Sequence, residues 1–425
     1  MAAFAHCNAL EQIGLVESEE ETDSDNLTLL ALLAAGSGGG NNSPCPSYNW
    51  NVPFNFPAPS NPADNCMTDA KVDLGRHLFY DRRLSQNETM SCASCHLQDA
   101  AFTDKKAVAI GSTGEIHARN AQHLSNVGYM SRLNWANSNV DTLEKQSLTP
   151  LFAQSGPSTI IELGLSGDAY LTKLKSDPVY RQKFAQAFGS GDQEFNDGNI
   201  RKALASFQRT LISANSKYDQ FQRGTGTLTA EELRGALLFN GEIAECFHCH
   251  GGFNFSDTSF HSGTVFTEFA YHNNGIYSAA EYAAKPQNQR GLVDVTGKAG
   301  DEGRFRAPSL RNVGVTFPYM HDGSFDCNPQ DGAFKVTAGG DCGADPVADM
   351  LGHVLDHYSN GAALKADGSP RTVHPQVDVT LIRPFPLSAQ DKADLIAFLK
   401  SLTDTEFINN SAFSNPRPAD PNFIP

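Results

Sequence analysis

The sequence predicts a mostly α-helical protein organised twice over, with long loops and few, short strands. Three observations predict it. Apolar residues recur at helical spacing behind capping residues; 36 glycines and 22 prolines in 425 residues leave wide irregular connections; and one cysteine–histidine pattern occurs once in each half. With 40% hydrophobic and 19% charged residues the chain is neither disordered nor fibrous, and it is long enough for two buried cores. A formal charge of −16 argues against nucleic-acid binding, which would need a basic face.

Residues 1–45 hold seven acidic residues, no Lys or Arg, an apolar run from Leu29 to Ala35 and a Gly/Ser/Asn tract. The run resembles the core of an export signal without its basic flank, so this segment is expected to be a processed or disordered leader. It also resembles a lipoprotein leader that lacks the cysteine to take lipid, so no lipid anchor is expected. Seven apolar residues cannot span a bilayer, and no later segment is long enough to serve as a transmembrane span.

Beyond the leader, Thr68 can cap a helix through Val72, Leu74, Leu78 and Phe79. A Ser-Asp-Pro opening predicts a helix over 176–188, and apolar spacing predicts another over 199–213. Gln222 to Thr227 (QRGTGT) reads as a linker, giving domains 46–225 and 226–425. Thr229 to Glu232 is a capping box for a helix over Leu233, Leu237 and Leu238. Ser388 opens a last helix whose Leu395, Ile396, Phe398, Leu399 and Leu402 form a core stripe.

Nine cysteines give the chemistry. Four lie in Cys92-Ala93-Ser94-Cys95-His96 and Cys246-Phe247-His248-Cys249-His250, two copies of the c-type haem attachment pattern. Residue frequencies alone predict roughly 0.006 such matches in a chain of this composition. Two thiols a short turn apart can form thioethers to the porphyrin vinyls, and the adjacent imidazole then meets the iron. The fold class is therefore two cytochrome c-like haem domains. Cys45 with Cys66 and Cys327 with Cys342 are close pairs in loops, expected as disulfides in an oxidising compartment, which implies a periplasmic or otherwise exported protein. Cys7 is left in the leader.

The motifs LGRHLFYD (74–81), MSCASCHLQDAAFTD (90–104), Arg119-Asn120, LNWAN (133–137), CFHCHGGFNFSD (246–257), FRAPSLRNVGVTFPYMHDG (305–323) and HVLDHYSNG (353–361) resemble those of the bacterial di-haem cytochrome c peroxidase and MauG superfamily. The resemblance spans roughly residues 62 to 404, and PADN, AIGSTGEIHARN and LNWAN look most like its MbnH branch. It implies an enzyme that uses hydrogen peroxide to oxidise tryptophan to kynurenine on a partner protein by long-range electron transfer. The alternatives are a detoxifying peroxidase fed by an electron-donor cytochrome and a non-enzymatic di-haem carrier.

Carried over by residue, the resemblance makes His96 the proximal ligand of a peroxide-reactive haem and His250 that of a second haem. Tyr358 stands where the second haem's other ligand is expected, with Met320, Met350, His353 and His357 as rivals, since helical spacing alone does not choose among them. Glu162, after Gln146 and Pro150, is the expected distal acid–base group, with Glu144 its rival. Trp135 is expected to relay electrons between the haems, and His321 to support the second. Calcium is expected on the Asn120 side chain and the carbonyls of Thr316 and Pro318. His117, His123, His248, His261 and His272 read as surface or hydrogen-bonded histidines.

Overall fold

The structure, a computed structural model, describes residues 45–53, 56–60, 62–153, 160–261, 263–264, 271–327, 342–365 and 369–423. The leader expected over 1–45 lies outside them but for Cys45. One compact unit comprises 49–61 and 67–425, and a second comprises 1–48 and 62–66, in which Cys45 is bonded to Cys66. Cys327 is bonded to Cys342 in the larger unit.

Helices dominate. The first half is built on α1 (Asp69–Phe79), α2 (Cys92–Cys95), α3 (Pro178–Phe188) and α4 (Asp197–Arg209). The second is built on α5 (Ala230–Phe239), α6 (Phe247–His250), α7 (Pro346–Ser359) and α8 (Ala389–Ser401). The only sheet among the described residues is a two-residue pair, β1 (Tyr271–His272) antiparallel to β2 (Phe305–Arg306).

Helix starts follow their capping chemistry. Thr68 accepts from the Lys71 amide at 3.2 Å, and Thr229 and Glu232 exchange side-chain-to-backbone bonds, as do Ser388 and Asp391. Asp177 caps α3 with Pro178 in its first turn, while Ala169–Ser176 forms a separate helix before it. The helix expected over 199–213 runs instead from 197 to 209: Asn196 caps it two residues early, and Leu211 turns away to accept from Asn126. Of the proposed linker, Gln222 ends a helix over Lys217–Gln222 and residues 223–227 follow it in turns.

The duplication reaches deeper than the haem motifs. α1 crosses α4 at Gly75, where a Cβ would lie 1.9 Å from the Ala203 carbonyl oxygen. α5 crosses α8 at Gly235, where a Cβ would lie 2.0 Å from that of Asp394. The next apolar contact is Phe207 in one half and Phe398 in the other. Asn126 and Asn312 each begin an Asn-Val-Gly turn at positive φ, and their amides bond to Leu211 and Leu402, just past α4 and α8. Each half thus has its own core, around Leu74, Phe79, Ala203 and Phe207 or around Phe239, Phe255, Leu395 and Phe398.

The tail crosses over. Phe407 and Phe423 pack into the first core, not the second, and Tyr80 Oη donates to the Phe413 carbonyl at 2.8 Å. No helix among the described residues is long and apolar enough to cross a membrane.

Candidate haem sites and the wall between them

Two internal cavities of similar size, ≈ 240 and ≈ 230 Å³, each have one Cys-x-x-Cys-His motif in their lining. α2 is a single turn held at its start by the Ser91 amide donating to Ser94 Oγ at 3.0 Å, which brings Cys92 and Cys95 round to one side. The His96 ring bonds through Nδ1 to the Phe102 carbonyl at 2.7 Å. In the second half, His250 Nδ1 lies 3.1 Å from the Pro308 carbonyl and 3.3 Å from that of Phe255. Phe102 and Phe255 both hold positive φ, so the carbonyl-presenting turn is itself duplicated. In both histidines Nδ1 carries the proton and Nε2 keeps its lone pair, the arrangement that metal-ligating imidazoles use. Burial pushes both rings toward the neutral form and pushes the Cys92, Cys95 and Cys246 thiols up to about 12. The four thiols are unpaired, so two covalently held c-type haems fit these residues.

The first cavity also contains Gln146, Pro150 and Glu162. Glu162 is placed by its backbone: its carbonyl accepts from Ser112 at 2.8 Å, while Leu163 bonds to Pro150 and Gln86 on either side. The Ile161 amide donates to the Glu115 carboxylate at 3.0 Å. Burial raises the Glu162 carboxyl to about 7. Gln146 Oε1 and His117 Nε2 are buried there with no hydrogen-bond partner. Glu144 is elsewhere, in a two-pronged ion pair with Arg209 at 2.8 Å.

The second cavity is lined by Tyr358 and Met320 together with His250. Asn274 Nδ2 donates to Tyr358 Oη at 3.2 Å and lies 3.5 Å from Met320 Sδ. Burial lifts the Tyr358 phenol to about 12, against the Asn274 hydrogen bond. The other rivals do not line it. Met350 is 2% exposed in the core, and His357 bonds through Nε2 to the Asn274 carbonyl at 2.8 Å. His353 shares α7 with Tyr358 but does not line the cavity. His321 lines it, stacked on Phe305 at 3.6 Å, with Nε2 lacking a hydrogen bond. Cys249, Asp257 and His272 cluster closely enough to resemble a metal site, but Cys249 belongs to the attachment motif.

One wall serves both cavities, formed by Asn120 to His123, Trp135, Arg306 and Ser309. Trp135 Nε1 donates to the Asn120 carbonyl at 2.9 Å, and the Arg306 amide donates to the Trp135 carbonyl at 2.8 Å. Asn120 Nδ2 donates to the Lys106 carbonyl at 2.7 Å; Thr316 and Pro318 share the second cavity's lining with Asn120. His123 bonds through Nε2 to Ser309 at 2.8 Å, and burial lowers its ring to about 4. The sequence did not single out Gln122 or Arg306, and His123, read there as a surface or hydrogen-bonded histidine, is a hydrogen-bonded one in this wall. Their signal was their place just after the Arg119-Asn120 pair or inside FRAPSLRN, because a wall assembled from residues near 120 and 306 has no local periodicity.

Residues 69–227 match the family model described as di-haem cytochrome c peroxidase (CCP_MauG). The chain is 31% identical over 365 residues to the cytochrome-c peroxidase IdrP1 of Pseudomonas sp. strain SCT, covering 81% of this chain and 84% of that protein. It is 30% identical over 361 residues to the methylamine utilization protein MauG of Methylophilus methylotrophus, covering 84% and 88%. A solved structure described as a MauG-like protein associated with microbial copper homeostasis is 41% identical. It has a TM-score of 0.76 and is covered over 99% of its length by 87% of this chain.

Proposed function

This chain belongs to the di-haem cytochrome c peroxidase and MauG family of oxidoreductases, and we propose that it uses hydrogen peroxide to oxidise a tryptophan on a partner protein. One observation carries the reading: the Glu162 carboxyl lines one cavity, the Tyr358 phenol lines the other, and Trp135 lines both. When bound, the two haems would supply iron that gives electrons to peroxide as its O–O bond breaks and regains them from a donor.

The protein's own groups do the rest. With its carboxyl near 7, Glu162 can take a proton from one peroxide oxygen and return it to the other at neutral pH. Gln146 would orient the peroxide, and Pro150 would limit the water that reaches it. His96 and His250 would hold an iron through Nε2, because their Nδ1 protons are committed to carbonyls. Tyr358 would ligate the second iron as a phenolate, a form that the Asn274 hydrogen bond favours. His321 supports that haem's surroundings. Calcium would take the Asn120 Oδ1 and the Thr316 and Pro318 carbonyls, an all-oxygen set suited to a hard cation. The disulfides and the haem attachment both favour an exported, periplasmic location.

The description of the relative linked to copper homeostasis favours a partner from that setting. A second reading, a detoxifying peroxidase fed by a small cytochrome, is favoured by Met320, which shares the second cavity and could ligate in place of Tyr358. The test is to incubate candidate partners with the holoenzyme and peroxide and follow their mass. A peroxide-dependent gain on a partner tryptophan, lost by at least about tenfold in Tyr358→Phe, is expected. Rapid peroxide turnover with reduced cytochrome c, unaffected by Tyr358→Phe, would select the second reading.

A further inference from the structure

An aromatic cluster leads away from the wall between the cavities. Trp135, Phe305 and Tyr282 pack together with Ala136, and Tyr277 packs against them. The Tyr277 and Tyr282 rings meet edge-on at 5.5 Å, and Tyr277 meets the His321 ring at 6.2 Å. Tyr282 is 1% exposed, whereas Tyr277 is half-buried and forms the outer end of the cluster.

Tyr277 has an unusual partner. Its hydroxyl donates to Asp322 Oδ2 at 2.6 Å, the short distance of a hydrogen bond to an ionised carboxylate. Asp322 is buried, and Ser324 donates to its other oxygen. Burial works against ionisation of Asp322, but the His321 ring, the Ser324 and Tyr277 hydroxyls and the Lys285 ammonium outweigh it and hold the carboxyl below its ordinary value. Burial and the neighbouring carboxylate raise the Tyr277 phenol well above its usual range, so it does not ionise on its own. Lys285 Nζ lies 3.7 Å over the Tyr277 ring and the Arg371 guanidinium 5.8 Å from it. Two nearby cations oppose a positive charge on that ring, so an electron leaves it readily only if the phenolic proton leaves too.

From this arrangement we infer that Tyr277, with Asp322 as its proton acceptor, is a one-electron redox site that joins the inter-cavity wall to the protein surface. Hydrogen peroxide accepts two electrons and two protons to become two waters; Tyr277 passes the two electrons inward one at a time through Tyr282, Phe305 and Trp135 in two rounds of oxidation and repair, and the two protons come from the partner side chain as it is oxidised or from solvent. The phenolic O–H bond breaks as the electron departs, and its proton passes to Asp322 Oδ2, leaving a neutral tyrosyl radical. An electron from a bound partner side chain then restores the phenol, with Asp322 returning the proton. Nothing in peroxide cleavage itself requires Tyr277.

This inference rests on the peroxide reaction proposed above, so the experiment has two arms. The holoenzyme, carrying ring-deuterated tyrosine, is mixed with hydrogen peroxide in one arm and with hexachloroiridate, a one-electron oxidant, in the other. Both are freeze-quenched for electron paramagnetic resonance. A tyrosyl signal in both arms that is lost in Tyr277→Phe and retained in Tyr282→Phe is the expected result. A Tyr277-dependent signal with hexachloroiridate alone supports the site and counts against the peroxide reading. No tyrosyl signal in either arm, or one unchanged in Tyr277→Phe, overturns the inference.

Discussion

Glu162 shows how a single position acquires chemistry from its surroundings. Order along the chain puts it after Gln146 and Pro150, and Glu144 would fit almost as well. The fold separates them, since Arg209 takes both oxygens of Glu144 while Glu162 lines the first cavity. A carboxyl raised by burial from 4.5 to about 7 binds more protons folded than unfolded between those values. Its protonated form therefore favours the fold at low pH, and that contribution is lost as pH rises through about 7. The difference is about 3 kcal/mol for the haem-free chain. Glu162→Gln should accordingly melt higher than the parent at pH 8 and equally at pH 4.5 when both are compared without haem. In the holoenzyme the same change should slow the reaction with peroxide about 10² to 10⁴-fold and remove its pH inflection near 7, measured by stopped-flow absorbance. Neither the place of Glu162 in the first cavity nor the diversion of Glu144 was legible in the sequence, because they depend on distant groups, Gln86 and Ser112 for the one and Arg209 for the other.

Among the elements, the helices were legible where capping chemistry marks them, as at Thr68, Thr229 and Ser388. The end of α4 was not, because apolar residues continue through Leu211 and only the tertiary bond from Asn126 stops the helix. The duplicated crossings were also hidden, since a glycine inside a helical pattern carries no sign of what approaches it. Gly75 and Gly235 each admit a backbone carbonyl where a Cβ would stand, so alanine at either must push two core helices apart. Gly75→Ala and Gly235→Ala should each destabilise the protein by about 3 kcal/mol or more, read as a fall in the unfolding midpoint. Gly352→Ala is the control. It lies within α7 with nothing closer to a new Cβ than the Lys392 side chain at 3.8 Å, so alanine there should be neutral or stabilising by up to about 1 kcal/mol.

At the scale of the whole molecule, the repeated Cys-x-x-Cys-His pattern made a two-part architecture legible, but not the way the parts are fastened. The fastening is polar and buried. Asp404, just past α8, accepts from Ser213 Oγ at 3.2 Å and from the amides of Ala214 and Asn215 at 3.0 and 2.9 Å, all just past α4. Its other oxygen caps the helix that carries Phe407 into the first core. Asn312 adds bonds to Ser125 and Ser213, and Arg311 pairs with Asp219 at 2.8 Å. These bonds lie beside the segments that build the inter-cavity wall, so they hold the two cavities at a fixed separation. Removing the carboxylate strands two buried donors, a half-buried one and a helix cap together. Asp404→Ala should therefore cost about 3 kcal/mol or more. Its effect should be uneven: hydrogen exchange should quicken first in α1, α4 and the tail, which lose their anchor, and only later in α5 and α8, whose core does not include the tail. Equal loss of protection in both halves would mean that the two cores unfold as one and that Asp404 is not the fastening between them.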